Sequence, residues 1–269
     1  MRTALITGAS AGIGEAFAEV FAADGYGLVL VARRGDRLAA VAARLGQQYG
    51  VRAEVLTADL SLPGAATRVC EEMAARGLQI DALVNNAGYG VPGPYTRSTW
   101  EQHAAFMNVM VVAVGEMTRR LLPGMLERRF GRIINVASLA GLVPAPAGHT
   151  LYAASKSFLI KFSEALAHEV AHQGVHVTAV CPGFTYSEFH DVTGTRKTVS
   201  RLPRFMWMDA ATVAREGYRA VSAGRPIVVP GRVNATIALL ARLCPQRVVS
   251  AINRRASRAY RDSSPAAGS

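Results

Sequence analysis

The sequence predicts an α/β protein: a doubly wound parallel sheet of about seven strands with helices on both faces, in a single domain. Three observations carry this. Seven short runs rich in Val, Ile, Leu and Ala alternate with longer segments of helical character. The first run ends in a glycine-rich turn that opens a helix. The first six runs end in small or polar residues that gather at one sheet edge. Strand and helix in regular alternation imply parallel βαβ units, and strands covered on both faces read as near-continuous apolar runs.

The first run, 4–10, enters "TGASAGIG" and a helix over 12–24. Gly8, Gly12 and Gly14 permit a tight turn and close backbone approach. Ser10 and Ile13 sit among them, and the helix N-terminus offers free N–H groups to a pyrophosphate. The second run, 28–33, precedes a helix over 36–49. An NAD site places an acid at this strand end to bond the ribose hydroxyls. Here stand Ala32, Arg33 and Arg34. Two guanidiniums suit a 2′-phosphate, and cations at a helix N-terminus otherwise oppose its dipole. NADP is therefore favoured over NAD.

The third run, 53–59, ends at Asp59-Leu60, suited to an adenine edge, and a helix follows over 64–76. The fourth, 82–88, ends in Asn85, Asn86, Ala87 and Gly88. Its small residues let a cofactor lie against the backbone, and its asparagines can tie strand ends together. One long helix is expected over 98–128, including Asn108. The fifth run, 132–138, ends at Ser138. A helix over 151–172 carries Tyr152 and Lys156 four residues apart, hence on one face. Such a pair is either a chance surface pair or a phenol whose proton is tuned by a fixed cation. The sixth run, 175–183, ends in Pro182-Gly183, and the seventh is 226–231, after a helix over 210–223. Between them, 185–208 is polar in its middle and ends in "FMWM". It lies beyond a strand C-terminus and is a substrate lid or a plain surface loop.

The motifs Thr7-Gly8-xxx-Gly12-Ile13-Gly14, Asn85 to Gly88, Asn108, Ser138, Tyr152-xxx-Lys156 and Pro182-Gly183 stand in one order. Through them the chain resembles the short-chain dehydrogenase/reductase family over about 3–231. The resemblance implies a Rossmann-like fold, a homodimer or homotetramer, and NADP(H)-dependent hydride transfer between a nicotinamide and a carbonyl or alcohol. It implies that Tyr152 protonates the carbonyl oxygen and that Ser138 holds it. Lys156 would bond the nicotinamide ribose and lower the Tyr152 pKa, Asn108 would hold a water leading to Lys156, and Ser187 would meet the carboxamide. Bringing a phenol from ~10 to about 7 takes roughly 4 kcal/mol of differential stabilisation. Two positions depart from the family pattern. Ser138 and Tyr152 are fourteen apart, one more than expected, and Ala11 stands where many NADP-dependent members carry a basic residue.

The remaining composition narrows the reading. Three cysteines without paired spacing suggest neither disulfides nor a metal site and fit a reducing compartment. No apolar stretch has the length of a membrane span or a secretory signal, so a cytoplasmic protein is expected. The net charge is +11, and from Arg225 onward there are eight arginines and one acid, which places +7 of it there. Only Tyr260 offers a stacking aromatic among the last arginines, which argues against nucleic acid as a partner. The expected organisation is a catalytic domain over 1–234, a basic amphipathic helical extension over 235–261 and a tail over 262–269. The extension either packs on the domain or touches an anionic membrane. The apolar stretch 139–151 and the "FMWM" cluster point to a hydrophobic carbonyl such as a 3-oxoacyl chain or a steroid-like ketone. A catalytically idle NADP-binding sensor or scaffold is the competing class.

Overall fold

The computed structural model describes residues 1–145, 147–148, 150–186 and 206–244. Its elements follow the expected alternation: β1 (Thr3–Thr7), α1 (Gly12–Ala23), β2 (Gly27–Ala32), α2 (Gly35–Tyr49), β3 (Ala53–Thr57), α3 (Ala65–Ala75), β4 (Ala82–Asn85), α4 (Trp100–Met107), α5 (Ala113–Glu127), β5 (Gly131–Val136), α6 (Thr150–Val170), β6 (Val175–Val180), β7 (Phe184–Thr185), β8 (Trp207–Met208), α7 (Ala210–Ser222), β9 (Ile227–Val228) and α8 (Arg232–Leu243).

Seven strands form one parallel sheet in the order β3-β2-β1-β4-β5-β6-β9. Successive side chains on a strand point to opposite faces, and the packing obeys this. Ile6, Leu28, Leu30 and Val84 meet Phe17, Phe21, Leu38 and Val213 of α1, α2 and α7. Leu5, Val29, Val31 and Leu83 meet Val69, Met73, Phe106 and Met117 of α3, α4 and α5 on the other side, with Leu166 of α6. Both faces are covered, which is why the strands read as unbroken apolar runs. After β3 the chain returns to pair β4 with the other edge of β1, Leu5 opposite Leu83. The connections diverge there, and a crevice opens at the carboxyl ends of β1 and β4.

Three local features, the first a departure from the sequence expectations, shape the fold around the site. The helix expected over 98–128 is broken by a π-helical turn, Asn108–Val112. Its widened geometry lets the Ala113 N–H reach the Asn108 carbonyl five residues back. The excursion 185–208 is tied at its ends: Phe184 and Thr185 pair with Trp207 and Met208 in a small parallel ribbon. Trp207 stacks on Tyr186, with ring centroids 4.8 Å apart. Helix α8 begins at Arg232, directly after the Gly231 turn. Ser187, His149 and the basic segment over 247–261 lie outside the described residues.

Candidate active site

The glycine turn is built from both sides of the crevice. Gly8 and Gly12 have φ of 66° and 61°, where a side chain is strained. A Cβ on Gly14 would lie 2.3 Å from the Gly8 carbonyl oxygen, so the helix can approach the turn only as glycine. The Thr7 hydroxyl donates to the Val84 carbonyl at 3.2 Å and accepts the N–H groups of Asn86 and Ala87, each at 3.0 Å. Asn86 Nδ2 donates to the Thr7 carbonyl at 2.9 Å. One threonine and one asparagine thus staple the end of β1 to the chain after β4. Ala11 at the α1 N-cap makes no side-chain cap, so the first N–H groups of α1 are left for an anion.

At the end of β2, Arg34 reaches across the turn to Ser10, with Nη2 and Nε at 3.0 and 3.3 Å from its hydroxyl. Arg33 faces Asp59. Burial alone would raise the Asp59 carboxyl, but the Ser61 N–H, the Ser61 hydroxyl and the Arg33 charge hold it below its ordinary value. Leu60 turns into the core with Leu56 and Val69, so it can offer a ligand only its backbone. These groups form a cradle open to a dinucleotide: uncapped N–H groups under a glycine turn, two guanidiniums at its rim, and a carboxylate at the next strand. Gly88 lies in the same crevice, where its missing Cβ would press to 2.9 Å from Met110 Sδ.

The second half of the site sits at β5 and α6. Ser138 caps a short 3₁₀ turn, Leu139–Gly141, its Oγ accepting the Ala140 N–H at 3.1 Å. Tyr152 stands in the first turn of α6. Burial pushes the phenol above its ordinary value, while a hydrogen bond with the Ser138 side chain pulls it down. Lys156 is buried one turn later. Its Nζ lies 5.7 Å from the Tyr152 ring centroid and donates to the Val136 carbonyl at 2.7 Å. Burial lowers Lys156 to about 8. The expected lowering of the Tyr152 pKa by Lys156 is therefore not seen in this arrangement. The ammonium is engaged by the strand end.

Asn108 opens the π turn and donates from Nδ2 to the Ser61 carbonyl at 2.9 Å. It links the β3 loop to the helix flanking the site. Pro182 accepts the Leu139 N–H at 2.9 Å, which carries the β5–β6 pairing past Ser138. Gly183 packs on Asn234 of α8, whose Oδ1 would stand 2.4 Å from a Cβ there. Asn234 Nδ2 also donates to the Pro230 carbonyl at 3.0 Å.

A family model described as "short chain dehydrogenase" matches residues 2–197. The chain belongs to the short-chain dehydrogenase family. It is 36% identical over 199 residues to the very-long-chain 3-oxoacyl-CoA reductase of Anas platyrhynchos, a match covering 71% of this chain and 62% of that protein. The chain thus spans about three fifths of the length of that relative. Among solved structures it is similar to a short-chain dehydrogenase from Sphingobium yanoikuyae in complex with NADPH. The identity is 29% and the TM-score 0.78, covering 100% of this chain and 98% of that one. A 7β-hydroxysteroid dehydrogenase superposes with a TM-score of 0.83 at 26% identity, covering 96% and 95% of the two chains.

Within this family frame, three supporting groups escape a reading of the motifs. Gly141 lets the Ser138 turn lie directly on α6: a Cβ would come 2.7 Å from the Lys156 carbonyl carbon. Ser157 Oγ donates to the Gly141 carbonyl at 2.9 Å, fastening the same contact. Asn135 is fully buried, accepts from Asn85 Nδ2 at 2.8 Å and donates to Ser163 Oγ at 2.8 Å, joining β4, β5 and α6. A lone polar residue inside the apolar run "RIINVAS" was a signal for Asn135. Gly141 and Asn234 had no local signal, because their partners are distant in sequence.

Proposed function

We propose that this protein is an NADP(H)-dependent reductase or dehydrogenase acting on a hydrophobic ketone or secondary alcohol. The observation that carries the reading is the Ser138 side chain bonded to the Tyr152 phenol, with buried Lys156 one turn on, beside the glycine cradle. Gly8, Ser10, Gly12, Ile13 and Gly14 would hold the pyrophosphate and its flank, and Arg33 and Arg34 the 2′-phosphate. Asp59 and the Leu60 backbone would meet the adenine. Asn86, Ala87 and Gly88 would bed the sugar, and Pro182, Gly183 and Ser187 would face the nicotinamide.

The hydride comes from the reduced nicotinamide when that group is bound. Ser138 orients the carbonyl oxygen. As the carbonyl carbon accepts the hydride, Tyr152 gives its phenolic proton to that oxygen, which leaves as the alcohol. Lys156, released from the Val136 carbonyl, would bond the nicotinamide ribose and stabilise the phenolate. Tyr152 recovers its proton from solvent along the Lys156–Asn108 side. In the oxidative direction each transfer reverses.

A hydrophobic substrate is supported by the apolar residues on the side of the sheet that carries Tyr152. Tyr89, Val91, Met107 and Leu151 pack on the same core cluster as Tyr152, and the Tyr89 ring meets Phe106 edge-on at 5.6 Å. The Gly93 N–H donates to the Gly148 carbonyl at 3.1 Å, bringing the loop after β4 against the loop after Ser138. The 3-oxoacyl-CoA reductase and hydroxysteroid dehydrogenase likenesses point to the same class of apolar carbonyl. A homodimer or homotetramer goes with this reading. The competing reading, an idle NADP-binding scaffold, makes Tyr152 dispensable. Steady-state turnover of a panel of acyl and cyclic ketones with NADPH decides between them. Tyr152→Phe should lose at least about a thousandfold in kcat with NADPH affinity kept. Failure of the wild-type protein to turn over any of them would favour the scaffold.

A further inference from the structure

We propose that His103 is a positioning residue for the substrate side of the site: it anchors the loop after β4, at Tyr95, where that loop meets the chain leading into α6. His103 takes no part in the hydride or proton transfer, and its role rests on the carbonyl reading above.

The start of α4 is fixed by its own sequence. Thr99 Oγ1 accepts the Gln102 N–H at 3.4 Å, and Gln102 Oε1 accepts the Thr99 N–H at 3.0 Å, a reciprocal cap. His103 follows that cap, and Phe106 stands three residues on, hence on the same face. Both are turned inward: His103 is 6% exposed and Phe106 is fully buried. Each pins one part of the loop. Phe106 meets the Tyr89 ring edge-on. The His103 ring lies nearly parallel to the Tyr95 ring, with centroids 4.5 Å apart, and its Nε2 is 2.9 Å from the Tyr95 carbonyl oxygen. Between these pins the Gly93 N–H donates to the Gly148 carbonyl, two residues before α6 begins at Thr150.

The chemistry of the ring says which atom works. A carbonyl only accepts, so Nε2 carries the proton and donates, and Nδ1 is the bare nitrogen. Nδ1 is buried and has no hydrogen-bond partner among the described residues. A residue that only filled space would leave no such orphan, since leucine would occupy the position without a polar atom. The imidazole is accounted for by its Nε2 and its flat face, both directed at Tyr95. Tyr95 needs that anchor. Its side chain is 48% exposed, and the short 3₁₀ turn Tyr95–Arg97 buries no residue, so the core does not hold this part of the loop. Released, the loop would have to be ordered anew by each incoming substrate, and that cost falls on substrate binding. The Ser138 turn is clamped to α6 separately, through Gly141 and Ser157. The glycine cradle is stapled through Thr7 and Asn86. Turnover of bound substrate and cofactor affinity should therefore stand apart from the anchor.

The test is ketone kinetics with NADPH, together with amide hydrogen exchange, on the full chain and its His103→Leu, His103→Asn, His103→Gln and Tyr95→Ala variants. Glutamine can bring an amide N–H to the place of Nε2, whereas asparagine puts its amide near the place of Nδ1. The Leu and Asn variants should raise KM for the ketone about five- to tenfold, the size of one lost hydrogen bond, with kcat and NADPH affinity nearly unchanged. Their amides over 91–97 should exchange faster. The Gln variant should restore most of the KM. Tyr95→Ala changes an exposed side chain, should shift KM and exchange in the same direction, and decides the matter if the buried substitutions do not fold. Unchanged KM and exchange in the Leu variant overturn the proposal. So do equal losses in kcat, KM and NADPH affinity, which mark a general loosening, and a Gln variant no better than Leu, which removes the Nε2 bond. Wild-type protein that turns over no ketone defeats the carbonyl reading instead, and exchange over 91–97 then decides the anchor alone.

Discussion

Lys156 Nζ donates to the Val136 carbonyl across 2.7 Å, at the carboxyl end of β5. That bond places a cation inside the protein against a strand end, one helical turn from the phenol it is proposed to serve. The arrangement has a stability cost that the motif alone does not reveal, because burial disfavours the charged amine.

The cost has a sign and a pH window. Lys156 is lowered from 10.5 to about 8. Between those values the unfolded chain binds more protons than the folded one, so stability rises with pH through the window. Below about 8 the full penalty is present. Lys156→Met removes the penalty and leaves the Val136 carbonyl without that donor, a loss of about 1 kcal/mol. Thermal melts of the cofactor-free protein should show the variant more stable at pH 7 by about 1–2 kcal/mol, with the advantage shrinking toward pH 10. The same variant should bind NADPH more weakly and turn over slowly. A variant less stable than wild type at pH 7 would remove the buried-cation account.

Arg33 and Arg34 divide the rim of the cradle between Asp59 and Ser10. Each charge-assisted bond to a 2′-phosphate contributes roughly 1.5–3 kcal/mol. Arg33→Ala and Arg34→Ala should therefore each lower the NADPH over NADH preference about tenfold or more, measured as the ratio of dissociation constants. Because Arg34 also bonds Ser10, its variant should loosen the glycine turn and weaken NADH modestly as well. If neither substitution moves the ratio, the phosphate is held elsewhere.

Gly141 carries a sharper structural prediction. Its α-carbon lies so close to α6 that an added methyl would meet the Lys156 and Ser157 backbone, which cannot rotate away. Gly141→Ala should cost about 1–3 kcal/mol of stability by overpacking. It should also lower kcat more than it weakens NADPH, because it moves the Ser138 turn and leaves the glycine cradle alone. Equal losses in both would mean a general loosening of the fold.

These cases show what was legible in the sequence. The parallel sheet was, since strands such as "LVLVAR" buried on both faces advertise themselves, and so was the crevice, since its glycines cannot be replaced by other residues. Tyr152 and Lys156 were readable as one face of one helix. Their electrostatics were not, because the partner that holds Lys156 is a backbone carbonyl on another element. The π turn at Asn108 escaped because a local widening of a helix is not announced by residue preference. The Ser138–Tyr152 hydrogen bond is in place with the two residues fourteen positions apart.

Asn135 provides the last test. It is fully buried between Asn85 and Ser163, and Ser163 passes the chain on to the Leu159 carbonyl of α6 at 2.6 Å. The network holds the helix that bears Tyr152 and Lys156 to two strands of the sheet. Asn135→Leu would leave the Asn85 amide and the Ser163 hydroxyl short of partners in a dry core, at a cost of about 2–4 kcal/mol. Replacing both asparagines with leucine should cost less than the two single changes added together, by about 1 kcal/mol or more, because the second substitution removes a group the first had already orphaned. Denaturant melts of the two single variants and the double variant measure this directly. Additive losses would show that the two amides act independently and that the network does not hold α6 as a unit.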